Sequence, residues 1–379
     1  MGILFKGKLE GEKFSGPVEM GEIISKLKKS KGEKIVVHAP SVPDVLRIPT
    51  GIFELDYATG GGFPRGRLSI VYGPESSCKT NICYKAAANA QKLPPPCNVV
   101  VWVDLEGTFD PKWAKKFGID LEALVLVKPG FGEEAVDAIE ALVYAKECVL
   151  LVVDSIAALV PAKEIEGAAE DQQPGRGALL AKKLTNKIAV ALGMESRREH
   201  YPSVIYINQT RFKIGVMHGD PETQPGGKTM LFISSLTLRT YGKNRIVKEL
   251  DPEKPAFKDL HVVIKKAKVG VRQSAFDFSM ALMEIGELCI GDSESWNTVS
   301  NHLKQLGVLK KGDKSGWVLF GKNYSTLIPI ADMYDKDHSF KMLCQSKVVG
   351  DSGVADIVIE GVTASTADYS EENIEPLSK

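Results

Sequence analysis

Short β-rich runs separated by helical patterns dominate the middle of the chain. The strand candidates are residues 68–72, 98–104, 149–154, 203–208, 235–239 and 260–264. Most are apolar nearly throughout instead of alternating, as strands buried on both faces are. Helical spacing fills the gaps near residues 79–91, 111–117, 132–147 and 176–192. In the last of these, Leu180, Leu184, Ile188 and Leu192 recur every four residues and mark one face. Strands alternating with helices predict an α/β core, a mostly parallel sheet covered on both sides.

The pattern changes at both ends. Val18, Ile23, Ile24 and Leu27 predict a helix over 18–29, followed by a polar, Pro-containing connector at 30–47. After residue 285 a helical piece at 295–306 leads into GVLKKGDKSGWVLFGKNY, the texture of a small α+β domain with a hairpin. From Gly350 onward Asp351, Asp356, Glu360, Asp368, Glu371, Glu372 and Glu375 face only Lys379, which predicts an acidic tail. The expected divisions are 1–44, 45–285, 286–349 and 350–379. There is no internal repeat.

Composition narrows the function classes. Forty-eight basic residues balance 48 acidic ones, so general electrostatic adhesion to nucleic acid is not expected, whereas a local basic surface is compatible. No run reaches the ~18 apolar residues that span a membrane. No secretory leader is legible, and Lys6 stands where a myristoylation signal after Gly2 needs Ser or Thr. The six cysteines lack CxxC pairing and read as reduced cytoplasmic thiols.

The sharpest chemical signal is GPESSCKT, formed by Gly73, Pro74, Glu75, Ser76, Ser77, Cys78, Lys79 and Thr80, with Asn81 next. It lies directly between a predicted strand and a predicted helix, where backbone N–H groups and a helix N-terminus cradle phosphates. Lys79 would reach the outer phosphates and Thr80 would bind Mg²⁺. Cys78 occupies the position where the pattern wants glycine, so crowding or strained backbone is expected there. Asp154 ends the apolar run CVLLVVDS and suits the Mg²⁺ shell of the same site. Glu106, just past the end of another strand, could polarise an attacking water. GGGFPRGR at 60–67 precedes its strand, so it reads as a turn and not as a dinucleotide fingerprint.

A long segment, residues 207–229, has no clear secondary structure. Within it Arg211, Phe212, Lys213, Ile214, Gly215, Val216, Met217 and His218 are followed by Gly226, Gly227 and Lys228. Basic and apolar residues interleaved in a glycine-rich loop suit a track for single-stranded phosphates. A shorter segment, 164–177, carries Arg176 near its end. His218, His261 and His302 lack a second ligand at metal-site spacing.

Four segments, 49–80, 103–111, 152–167 and 208–227, resemble bacterial RecA recombinases in order and spacing. The resemblance covers about residues 45–285 and, more loosely, 303–320. It implies a RecA-like P-loop ATPase core, an N-terminal segment that docks on the next subunit, and a small C-terminal domain. The implied activity is DNA-stimulated ATP hydrolysis by a filament on single-stranded DNA that pairs it with homologous duplex DNA and exchanges strands. In that scheme Lys79, Thr80 and Asp154 hold ATP and Mg²⁺, and Glu106 is the catalytic base. Asp110 contacts adenine beside Trp113, and Gln209 senses the γ-phosphate. Lys266 and Lys268 reach a neighbour's ATP, and Phe232 is an interface aromatic. Residues 210–226 and 167–175 are the DNA loops, and the acidic tail damps DNA binding. The implied partners are further copies of the chain, single-strand-binding proteins and mediators, in the cytoplasm of a bacterial or phage-infected cell. Cys78, Met280 and His218 depart from the family pattern. Two alternatives stand beside this reading: a hexameric helicase on the same core, and a non-hydrolysing DNA-coating filament disabled by Cys78.

Overall fold

The computed structural model describes residues 7–9, 12–14, 19–31, 45–166, 175–195, 202–212, 222–312 and 316–350. The chain divides into two units, Met1–Val45 and Leu46–Lys379. In the first, β1 (Gly7–Leu9) and β2 (Glu12–Phe14) pair antiparallel, and α1 spans Met20–Lys31. The helix runs two residues past the expected end, where Lys31 is a good helix former and Ser30 Oγ donates to the Leu27 carbonyl at 3.3 Å. Glu22 and Lys26 pair across one turn at 3.0 Å.

The second unit opens with β3 (Arg47–Ile48), α2 (Phe53–Thr59) and β4 (Phe63–Pro64). The α/β alternation follows: β5 (Leu68–Gly73), α3 (Lys79–Ala90), β6 (Val99–Asp104), α4 (Pro111–Lys116), β7 (Leu124–Val127), α5 (Gly132–Val143) and β8 (Cys148–Asp154). After α6 (Ala162–Glu166) and α7 (Arg176–Glu195) come β9 (Ser203–Gln209), β10 (Arg211–Phe212), β11 (Glu222–Thr223) and α8 (Lys228–Ile233). Then β12 (Leu236–Arg245), β13 (Phe257–Ala267) and β14 (Ala275–Ala281) complete the sheet.

That sheet has eight strands in the order β14-β13-β12-β5-β9-β8-β6-β7. The six from β12 to β7 are parallel to one another, and β13 and β14 extend one edge antiparallel. Every residue of β5 and β8 is buried, as their largely apolar runs require, with Ser69 the polar exception inside β5. One apolar layer, with Ile82, Trp102 and Leu150, packs α3 on one face. The other, with Val153, Leu184 and Tyr206, packs α5 and α7 on the opposite face.

Two strands escape the pattern. β7 leaves Val125 and Leu126 exposed at the sheet edge. β14 alternates buried and exposed positions, so it never forms the dense apolar run of a central strand. β12 and β13 are also about twice as long as expected, because they continue past the parallel core into polar residues as a three-stranded antiparallel extension with β14.

The C-terminal part is the small α+β body expected, with α9 (Trp296–Gln305) and a three-stranded antiparallel sheet of β15 (Leu309–Lys311), β16 (Trp317–Leu319) and β17 (Lys322–Tyr324). Two helices not read from the pattern, α10 (Ile328–Lys336) and α11 (His338–Gly350), close it. Val299, Leu319, Tyr334 and Phe340 form its core together with Phe53 of α2.

Glu54 lies at that junction, 2% exposed, with neither carboxylate oxygen hydrogen-bonded. Burial pushes its pKa up; Ser293, Thr298 and Lys341 stand close enough to oppose the shift, but none is placed to bond it well. The protonated form therefore favours folding below the ordinary value of 4.5, and that stability is lost as pH rises through the raised folded-state value. Glu54→Gln is expected to raise the melting temperature at pH 7 by roughly 2–4 °C and to leave it unchanged near pH 4, read by thermal denaturation at both.

Candidate active site

The phosphate-loop sequence leaves β5 at Gly73. A Cβ there would lie 2.4 Å from the Thr240 carbonyl oxygen and 2.7 Å from Ser77 Oγ, so no larger residue fits. Within the loop Ser77 Oγ donates to the Pro74 carbonyl at 2.8 Å and lies 2.8 Å from Thr240 Oγ1. Lys79 Nζ donates to the same Pro74 carbonyl at 2.6 Å. Burial pushes the Lys79 pKa down, while Asp154, Glu106 and Glu75 pull it up.

Cys78 does not break the loop. It takes the left-handed conformation at φ 59° and ψ 24° that the glycine position demands, and Ser76 does likewise at φ 56°. A side chain in that region costs about 1–2 kcal/mol. The thiol packs against the core around α3, and Asn81 Nδ2 lies 3.6 Å from it. No side chain caps α3, so its first-turn N–H groups are oriented for an anion.

The parallel register sets the carboxylates side by side. Asp104 and Asp154 are paired positions at the ends of β6 and β8. Asp104 accepts from the Thr108 and Phe109 amides, both at 3.1 Å, and so shapes the turn that carries Glu106. Thr80 Oγ1 donates to Asp154 Oδ2 at 3.3 Å. Burial, then the Glu106 charge, pushes the Asp154 pKa up to about 7. Glu106 Oε1 accepts a close hydrogen bond from Ser155 and one from Gln209 Nε2 at 3.1 Å.

The donor set suits a nucleotide with its metal. The uncapped helix, Gly73 and Lys79 fit a polyphosphate, and the hard oxygens of Thr80 and Asp154 fit Mg²⁺. Among the described residues no three His, Cys, Asp or Glu side chains cluster as a metal site of their own.

A family model described as the RecA N-terminal domain matches residues 19–283. The chain belongs to the RecA family of recombination proteins. It is 37% identical to Protein RecA of Mesomycoplasma hyopneumoniae over 306 residues, which cover 80% of this chain and 85% of that protein. Protein RecA of Aquifex pyrophilus is 38% identical over 295 residues, 77% and 78% of the two chains. The crystal structure of the RadB recombinase is 24% identical, covering 62% of this chain and 96% of that one at a TM-score of 0.45.

Against the RecA expectations, the fold brings Lys79, Thr80, Asp154, Glu106 and Gln209 into one group at the ends of β5, β6, β8 and β9. Asp110 caps α4 by accepting from the Lys112 and Trp113 amides at 2.9 and 3.2 Å. Trp113 donates from Nε1 to Asn81 Oδ1 at 3.2 Å, which ties that aromatic to α3. Met280 is fully buried in the adjoining layer. Lys266 and Lys268 stand apart from the phosphate loop, and both donate to the Phe232 carbonyl at the end of α8, at 2.9 and 2.7 Å. Phe232 itself is 71% exposed.

The long loop is anchored next to Gln209. The Thr210 amide donates to the Gly73 carbonyl at 3.2 Å, and β10 and β11 pair as a stem, Arg211 with Thr223. Arg211 is exposed, Arg176 starts α7, and Gly226 and Gly227 lead into Lys228, the exposed first residue of α8. Lys213, Ile214, Gly215, Val216, Met217 and His218 lie outside the described residues, as do 167–174 of the shorter loop and the acidic tail beyond 350. Ser155, Asp104 and Thr240 join the site without having been expected from the sequence. Asp104 had a legible signal, since it ends VVVWVD as Asp154 ends CVLLVVD. The other two are marked only by their neighbours in space.

Burial pushes the Cys78 thiol up to about 11, and Cys83, Cys97, Cys148 and Cys344 are buried, whereas Cys289 is exposed. A thiol reagent at pH 8 is therefore expected to label Cys289 first, with Cys78 reacting at least about tenfold more slowly. Peptide mapping by mass spectrometry against labelling time checks the order.

Proposed function

We propose that this RecA-family protein assembles on single-stranded DNA with ATP and Mg²⁺, pairs it with homologous duplex DNA and exchanges strands, hydrolysing ATP as it does so. The observation that carries this reading is the Glu106–Gln209 hydrogen bond. It joins the carboxylate best placed to order an attacking water to the residue from which the long loop departs.

In this reading Gly73, Pro74, Glu75, Ser76, Ser77 and Cys78 form the cradle, Lys79 binds the outer phosphates, and Thr80, Asn81 and Asp154 complete the nucleotide site. Mg²⁺, when bound by Thr80 and Asp154, neutralises charge on the phosphate oxygens. Glu106 orients and deprotonates water, with Ser155 fixing its carboxylate. Gln209 exchanges its bond to Glu106 for the terminal phosphate and so reports nucleotide state to residues 210–226. Asp110 and Trp113 face the base. Lys266, Lys268 and Phe232 serve the contact with the next copy, where the lysines would complete the charge clamp on its ATP. Residues 1–44 dock on a neighbouring copy, 45–285 form the ATPase and DNA-binding core, 286–349 a small accessory domain, and 350–379 an acidic tail. Contacts to DNA are mainly to its backbone, hence sequence-tolerant and salt-sensitive.

No described helix is long and apolar enough to cross a membrane. The match to RecA proteins leaves the hexameric-helicase alternative without support. The intact loop geometry around Cys78 and the assembled Glu106, Ser155 and Gln209 favour hydrolysis over a non-hydrolysing filament.

Phosphate release with ATP and Mg²⁺, with and without single-stranded DNA, tests the reading. DNA is expected to stimulate release, and Glu106→Gln to lower it by about 10²-fold or more while ATP-dependent DNA binding persists. DNA binding that requires ATP without any phosphate release would instead support the non-hydrolysing filament. Lys79→Ala is expected to weaken nucleotide binding itself, read by equilibrium binding of a fluorescent ATP analogue, with a loss of about tenfold or more.

A further inference from the structure

Strand β12 touches both loops with adjacent residues. Thr240 faces the phosphate loop, with its hydroxyl 2.8 Å from Ser77 Oγ and 3.4 Å from the Tyr72 carbonyl oxygen. Its own carbonyl occupies the space that makes Gly73 obligatory. Arg239, one residue earlier, points to the opposite face of the sheet. There its guanidinium forks onto Glu222, Nε donating to Oε1 at 2.7 Å and Nη2 donating to Oε2 at closer range. Both side chains are only 11% exposed. The guanidinium also lies 3.7 Å from the centroid of the Tyr241 ring.

Glu222 belongs to the stem of the long loop, paired with Phe212. Just beyond it Asn208 Nδ2 donates to the Pro225 carbonyl at 3.0 Å. The arm returning from the loop is thus gripped twice, once from β9 and once from β12. A bidentate pair this buried fixes orientation as well as distance, because two parallel N–H···O bonds hold the planar guanidinium and the carboxylate in one plane.

We propose that Arg239 is a positioning residue that locks the loop stem to the strand bracing the phosphate loop. The two loops are then joined by a second mechanical link besides Glu106–Gln209, and movement of the phosphate loop through Ser77 and Thr240 tilts the stem through Arg239 and Glu222. This rests on the reading of residues 210–226 as a DNA-binding loop.

The test measures binding of fluorescent oligothymidine to the full-length protein with Mg²⁺ and a non-hydrolysable ATP analogue, and without nucleotide. The wild type is expected to bind more tightly with nucleotide. Arg239→Gln is expected to lose about tenfold of that gain while its affinity for the analogue stays within about twofold. The exchanged pair Glu222→Arg with Arg239→Glu is expected to recover most of the gain. Retention of the full gain by Arg239→Gln would overturn the inference and leave the functional reading standing. Absence of any nucleotide-dependent gain in the wild type would overturn both. If Arg239→Gln melts early, the exchanged pair decides: folded but still uncoupled, it refutes the proposal.

Discussion

Parallel pairing of β5, β6, β8 and β9 brings the carboxyl ends of four strands together on one side of the sheet, and the chemistry of the protein depends on those ends. The pairing registers Gly73 with Gln209 and Asp104 with Asp154. Residues that lie 136 and 50 positions apart in sequence are thereby set side by side by main-chain pairing. Ligands of open α/β sheets bind at such carboxyl ends because successive strands deliver loops there. The apolar layers on both faces make the arrangement rigid, since neither face of β5 or β8 can move without opening the core.

The carboxyl ends of these strands are electrostatically strained in a directed way. Asp154 is buried beside Glu106, and both effects disfavour its ionised form. Lys79 is itself partly desolvated and satisfies a loop carbonyl. A triphosphate with a divalent cation relieves both conditions at once, because it brings a cation to the carboxylates and anions to the lysine and the helix end. Cys78 illustrates how little of this depends on the ideal loop residue. The surrounding contacts of Ser77, Thr240 and Asn81 hold the turn in its left-handed form even though a side chain is present.

Much of this is legible in the amino-acid sequence itself. The central strands declared themselves through continuous apolar runs, and the phosphate loop through its place between a strand and a helix. The edges were harder to read. β7 and β14 bury only part of their surface, so their residues carry a mixed signal. α10 and α11 follow three very short strands and carry polar and apolar residues in mixed order, and their packing onto α9 outweighs the weak local pattern. Glu106 and Gln209 could be named as candidates. Their contact could not, because it depends on two strand ends converging through an intervening strand.

The amino-acid order alone determined the fold class, the phosphate-binding turn and the chemical identity of the residues available to it, because hydrophobic period and turn chemistry are local properties. Partnership was decided by tertiary structure: Ser155 with Glu106, Thr240 with Ser77, and Arg239 with Glu222. Such pairs depend on strand order and register, which arise from burying both faces of one sheet and leave no periodic trace in the chain.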